Sequence, residues 1–144
     1  MARITIWQIR ELLRQDESRI ATRERLDVFL KESLSPENKK RNLIRTLLSK
    51  ARRAAGQISN AYEQSQAYAA IAEALAKVGN FDEARRAAGQ ISDAYEQSQA
   101  YAAIAEATKE EKDFDEARRA AGQISNAYEQ SQAYAAIAGA LVKD

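Results

Sequence analysis

Residues 51–83 read ARRAAGQISNAYEQSQAYAAIAEALAKVGNFDE, and the chain then says this twice more. Ala84 opens ARRAAGQISDAYEQSQAYAAIAEATKEEKDFDE and Ala117 opens ARRAAGQISNAYEQSQAYAAIAGALVKD, so the copies start at 51, 84 and 117, a period of 33 without a gap. A fixed period of this length marks a stacked array, in which each unit buries its apolar face against its neighbours.

Within the unit the spacing predicts two helices. Asn60 and Glu63 have the N-cap and N3 spacing of a capping box, repeated by Asp93 and Glu96 and by Asn126 and Glu129. The helix that follows carries Tyr62, Tyr68, Ala69, Ile71, Ala72 and Leu75 and stops at Gly79, a residue suited to the left-handed C′ position. Asn80-Phe81-Asp82-Glu83 starts a shorter helix with Ala84, Ala87, Ala88 and Ile91, and Asp113 to Glu116 is its copy. Gly56, Gly89 and Gly122 recur in that short helix, where glycine costs up to about 1 kcal/mol relative to alanine; close helix approach or an early helix end would account for them. Alanine supplies much of the 45% hydrophobic content and the chain has one proline, which together favour an all-α protein.

Upstream of the array the signals are also helical. Thr5 and Gln8 match a capping box, and Ile6, Ile9, Leu12 and Leu13 follow on one face. Asp16, Glu17 and Ser18 interrupt before a second helix striped with Leu26, Phe29, Leu30 and Leu34. Ser35-Pro36-Glu37 is a helix start with serine at the cap, proline at the first position and an acid in the first turn. The helix it opens, with Leu43, Ile44, Leu47 and Leu48, is expected to run from 36 to about 58, straight into the first repeat. The organisation expected is a helical segment at 1–50, packed as a cap, followed by repeats at 51–83, 84–116 and 117–144.

The repeats resemble the tetratricopeptide family, whose unit is one residue longer. The aromatic, large-apolar and small positions of that family's first helix fall on Tyr68, Ile71 and Ala72, and its glycine, aromatic and alanine signature falls on Gly79, Phe81 and Ala84. The second copy aligns Tyr101, Ile104, Ala105, Lys112, Phe114 and Ala117, and the third Tyr134, Ile137 and Ala138. The chain departs from the family at Ala88, where a large aromatic is usual, at Lys112, which replaces the turn glycine, and in lacking the terminal proline. The resemblance implies a right-handed α-solenoid of antiparallel helix pairs. It also implies a concave groove, whose positions are Gln66, Glu73, Lys77, Gln99, Glu106, Lys109, Glu110 and Gln132. Glutamine and glutamate there do not make the basic clamp with which family members hold a peptide carboxylate.

Chemistry is scarce. The chain has no histidine and no cysteine, which removes the commonest general base, the thiol nucleophile and most zinc ligands. No enzyme, no metal and no cofactor is expected. Neither a signal peptide nor a membrane span is legible, so the expected setting is cytoplasmic, without a membrane partner. Charge is uneven: residues 1–50 hold 12 Lys/Arg against 7 Asp/Glu, and residues 51–144 hold 10 against 14. The arginine pairs 52–53, 85–86 and 118–119 form a ladder, but Asp82, Glu83, Asp115 and Glu116 stand at ion-pair spacing before the last two pairs. The second copy differs from the first at 7 of 33 positions, six of them in the block 108–113, TKEEKD, expected to be a solvated turn.

The third copy stops on a long helix, whose Tyr134, Ile137, Leu141 and Val142 are expected to seek cover. The function expected is a non-catalytic scaffold for protein or peptide contacts that self-associates through that helix, most simply as a two-fold dimer. One alternative is a nucleic-acid-binding module built on the basic helix 36–53, with Lys39, Lys40, Arg41, Arg45, Lys50, Arg52 and Arg53. Another is a designed or consensus repeat with no native ligand.

Overall fold

The computed structural model describes Thr5, Ile6, Gln8 and residues 19–143. Among these every regular element is helical: α1 (Arg19–Ser33), α2 (Pro36–Ala55), α3 (Ala61–Lys77), α4 (Phe81–Gly89), α5 (Ala94–Thr108), α6 (Glu111–Gly122) and α7 (Ala127–Val142). The expectations for Ile9, Leu12, Leu13 and the break at 16–18 fall outside the described residues. The chain divides into two units, Met1–Arg45 and Thr46–Asp144, and α2 runs across the division.

In the first unit the local signals are realised. Thr5 and Gln8 close a reciprocal cap, the Gln8 N–H donating to Thr5 Oγ1 at 3.2 Å and the Thr5 N–H to Gln8 Oε1 at 2.9 Å. Ser35 caps α2 by accepting from the Asn38 N–H at 3.2 Å, with proline at the first helical position. Of the stripe expected there, Leu26 is half-buried, whereas Phe29 and Leu30 on α1 and Leu34 just after it are 50%, 44% and 62% exposed, and Leu43 on α2 is 59% exposed.

The second unit is built from the repeats. The C-terminal half of α2, with Leu48, Ala51 and Ala55, packs on the common core and ends at Ala55, three residues before the expected stop, as the chain turns at Gly56. Long helices α3, α5 and α7 pack on one another in sequence, and α4 and α6 fill in against α3, α5 and α7. The core is mostly alanine, with Ile71, Ile91, Ile104, Ile124, Ile137, Leu75, Phe114, Tyr68 and Tyr101 as its larger members. Small side chains allow the helices to come close, so the array is held by many short contacts.

Each long helix starts on its predicted cap. Asn60, Asp93 and Asn126 accept from the N–H groups of Glu63, Glu96 and Glu129 at 3.0, 2.9 and 3.1 Å. A second periodic device was not read from the sequence. Gln64, Gln97 and Gln130 donate from Nε2 to the carbonyls of Ala55, Ala88 and Ala121 at 3.0, 3.2 and 3.2 Å. Those carbonyls lie at the end of the preceding helix, where each also accepts from the backbone N–H of Ile58, Ile91 or Ile124 at 3.2 Å, so each glutamine adds a second bond to one helix end while fixing the start of the next.

Where α3 meets α4 the turn is as predicted. Gly79 has φ +80°, the Asn80 N–H reaches Leu75 O at 2.9 Å and the Gly79 N–H reaches Ala76 O at 3.1 Å, the paired bonds of a Schellman end. Asn80 sits at the cap of α4 without a side-chain cap bond. The second copy departs from the first. There α5 ends two residues early at Thr108, the left-handed residue is Lys109 at φ 59°, and α6 starts three residues early at Glu111. Lys112 is therefore helical and not the turn residue, and Asp113 lies inside α6 and is not a cap. Gly56 follows the end of α2, and Gly89 and Gly122 are the last residues of α4 and α6; a methyl added at Gly89 or Gly122 would stand 4.0 or 3.6 Å from the hydroxyl of Tyr101 or Tyr134, an ordinary contact. Gly79→Ala is thus expected to cost about 1 kcal/mol. Gly89→Ala, with no positive φ to satisfy, is expected to be neutral or slightly stabilising; urea unfolding of both variants checks the pair.

Candidate functional site

Repetition provides an internal control: one residue type can be followed through three equivalent positions. Tyr68 and Tyr101 are 9% and 8% exposed, whereas Tyr134 is 45% exposed. Ser65 and Ser98 are buried at 1% each, and Ser131 is exposed. Ala69 and Ala102, and likewise Ala72 and Ala105, are buried, whereas Ala135 and Ala138 are exposed. Leu75 is 5% exposed against 57% for Leu141. The direction of this face is given by its hydrogen bonds. Ser65 Oγ meets Ser92 Oγ at 3.1 Å and accepts from the Asp93 N–H at 3.2 Å, and Ser98 Oγ donates to Ala117 O at 3.2 Å, each bond pointing to the following repeat. At about 100° per residue, Ser131, Tyr134, Ala135, Ala138, Leu141 and Val142 share one side of α7. This is the front of the long helix, covered in α3 and α5 and open in α7.

Of the four residues expected to mediate self-association, Tyr134, Leu141 and Val142 lie on this open front, Val142 at 80% exposure. Ile137 does not. It is 3% exposed and, with Ala133 and Ala140, makes the inner side of α7, as Ile71 and Ile104 do in their helices. A helical period places Ile137 one turn from Tyr134 and Leu141 but cannot say which side the earlier repeat occupies.

The eight groove positions do not gather into one site. Three of them tie α5 to α7: Gln132 Oε1 accepts from the Tyr95 hydroxyl at 3.2 Å, Glu106 pairs with Lys143 at 3.0 Å, and Lys109 Nζ donates to Ala140 O at 3.5 Å and to Lys143 O. A cation over the last carbonyls of α7 also suits the negative end of that helix. Glu110 belongs to a different cluster, with Arg85 and Lys112. Gln66 and Lys77 are exposed on α3, Glu73 on α3 and Gln99 on α5 are half-buried. Burial, with Asp93 and Glu73 adding like charge, holds Glu96 above the usual carboxylate range.

The divergent block 108–113 is not merely a solvated turn. Asp113 is buried at 1% exposure and takes a two-pronged bond from Arg85 on α4, at the start of the same repeat, Nε to Oδ1 and Nη2 to Oδ2, both 2.8 Å. Thr108 Oγ1 donates to the same Oδ2 at 2.7 Å. Burial alone would raise the Asp113 carboxyl, but the Arg85 and Thr108 hydrogen bonds and the Arg85 charge outweigh it and hold it below its ordinary value. Arg85 is held above its usual value, first by the bond to Asp113. In the first repeat the equivalent Arg52 meets Glu83 at 2.6 Å and holds that carboxyl low. The intrahelical pairs read from spacing are also present: Asp82 with Arg85 at 3.3 Å, Glu83 with Arg86 at 2.6 Å, Glu116 with Arg119 at 2.7 Å, and Asp115 with Arg118.

Against protein-family models, curated proteins and solved structures, the chain finds no match. Among the described residues no three acidic side chains converge as a metal site, and no helix is long and apolar enough to cross a membrane. The feature that stands apart is the open front of α7. Its signal was in the sequence as the repeat itself, which makes Tyr134, Ala138 and Leu141 the equivalents of Tyr68, Ala72 and Leu75.

Proposed function

We propose that the chain is a tetratricopeptide-like, right-handed α-solenoid scaffold without catalytic activity, which makes protein–protein contacts and self-associates through the front of α7. One observation carries this: Tyr134, Ala138 and Leu141 are exposed at positions whose equivalents in α3 are buried. Contiguous apolar surface of this kind, on a helix whose copies are covered, favours association. The order of contacts, long helix on long helix with short helices between, supports the solenoid.

A single helix front gives an interface at the small end of the range, so the dissociation constant is expected on the order of micromolar. Light scattering from about 1 to 100 µM protein is expected to show mass rising with concentration. Leu141→Glu places a charge at a 57%-exposed position, costs the single chain little, and is expected to shift the equilibrium to monomer. A wild-type chain that stays monomeric across the range overturns the self-association, and an unchanged mass for the variant moves the contact away from α7.

A further inference from the structure

We infer that the solvent side of α2 is a docking face for the phosphate backbone of a nucleic-acid duplex. It involves no residue of α7 and stands on a separate internal comparison. Residues 48–53 of α2 read LSKARR, at the positions where α4 has FDEARR (81–86) and α6 has FDEARR (114–119). In α4 and α6 every arginine of the pair is met by an acid of its own helix: Arg85 by Asp82, Arg86 by Glu83, Arg118 by Asp115 and Arg119 by Glu116. Helix α2 keeps the arginines and drops the acids. Ser49 stands where Asp82 and Asp115 are, and Lys50 where Glu83 and Glu116 are, so the charge at the second position is reversed. Arg52 is met by Glu83 of α4 at 2.6 Å, whereas Arg53 has no ion-pair partner among the described residues.

The rest of the helix extends this pattern. Leu48, Ala51 and Ala55 turn one side of α2 to the core. At about 100° per residue, Lys39, Lys50 and Arg53 lie on the opposite side, and Arg41 and Arg45 fall together on one flank. All five are exposed, and among the described residues none takes part in an ion pair. Between the two groups the helix presents Asn42, Thr46 and Ser49, which carry no charge, and its one acid, Glu37, is in the first turn. A polyanion lying along this side therefore meets five cations and no carboxylate of α2. From Lys39 to Arg53 the helix rises about 21 Å, a length over which a duplex carries about a dozen phosphates. No aromatic side chain on α2 offers a platform for an unpaired base, so the fit is to the backbone of a duplex and not to stacked single-strand bases.

Fluorescence anisotropy of a labelled DNA duplex of about 20 base pairs and arbitrary sequence, titrated with the full chain, tests this. Binding is expected with a dissociation constant on the order of 10 µM at about 50 mM NaCl, weakening with salt at a log–log slope of about −4.5 for five phosphate contacts. Ser49→Asp with Lys50→Glu writes into α2 the acids that α4 and α6 already carry, and is expected to weaken binding at least about tenfold. Lys39→Gln with Arg45→Gln, both at exposed positions, is expected to lower the steepness of the salt dependence by about 2. Helical content and urea midpoint confirm the fold of each variant. Arg86→Gln with Arg119→Gln removes two cations that are held by acids, and is expected to change affinity by less than about threefold. No binding by the wild-type chain at about 20 mM NaCl overturns the proposal. So does unchanged affinity in both folded α2 variants, which moves the contact off α2. A loss in the Arg86/Arg119 variant as large as in the α2 variants makes the binding a matter of net charge and also overturns it. Retention on vesicles containing about 30% phosphatidylserine without duplex binding assigns the face to an anionic lipid surface instead.

Discussion

Arg85→Met is expected to lower the unfolding free energy by about 3–5 kcal/mol, the cost of leaving a buried carboxylate without its cation. Asp113 is fully enclosed and receives both prongs of the guanidinium at 2.8 Å, so loss of Arg85 leaves Thr108 as its remaining neutral donor. Removing the whole network is expected to do far less harm. The triple variant Arg85→Met, Thr108→Leu, Asp113→Leu replaces the ionic contacts by apolar ones, with the leucine of the first repeat, Leu75, restored at 108. Its stability is expected to lie within about 1–2 kcal/mol of wild type, in either direction. The pH dependence separates the two chains. The folded carboxyl of Asp113 titrates below its unfolded value, so its contribution is complete above about pH 4 and fades as pH falls through the folded value. Urea titrations from pH 7 to pH 2.5 are expected to show wild type losing this contribution at the acid end, and the triple variant lacking that component.

Ile104→Ala is expected to cost about 2–5 kcal/mol. Ile104 is 0% exposed on α5, the helix that touches α3, α4, α6 and α7, so a cavity there loosens contacts in both directions along the array. Because alanines fill most of the surrounding core, few branched side chains supply the large apolar areas, and neighbouring alanines cannot swing in to fill the gap. Leu141→Ala provides the control. At 57% exposure it is expected to move the unfolding free energy of the monomer by less than about 0.5 kcal/mol while weakening association. Guanidinium unfolding at low protein concentration, where monomer dominates, measures both.

What could be read from the sequence was what is decided locally. Asn60, Asp93, Asn126, Ser35 and the Thr5–Gln8 pair cap helices as their spacing predicted, because a cap is made within four residues. Gly79 turned the chain because no other residue takes φ +80° so cheaply. Decisions that need a distant partner were missed. Asp113 looked like a cap because its copy, Asn80, precedes a helix; Arg85, twenty-eight residues earlier, draws it inward instead and the turn moves with it. Phe29 and Leu30 were legible as a face of α1, yet periodicity names a face without naming its cover, and both stand open. The α7 front was half legible: the period marked it as different, and Ile137 was assigned to the wrong side.

The displaced turn of the second copy has a wider consequence. Between Asn60 and Asp93, and again between Asp93 and Asn126, the distance along the chain is 33 residues, although the hairpin bends three positions earlier in the second interval. Residues lost from the long helix are taken up by the short one, α4 spanning 9 and α6 spanning 12. Phase along the stack is therefore set at the capping residues and at the glutamines that clasp the previous helix. The bend between helices behaves as a sliding bead, free to take new sequence, new charge and a new internal bond without putting the next storey out of step.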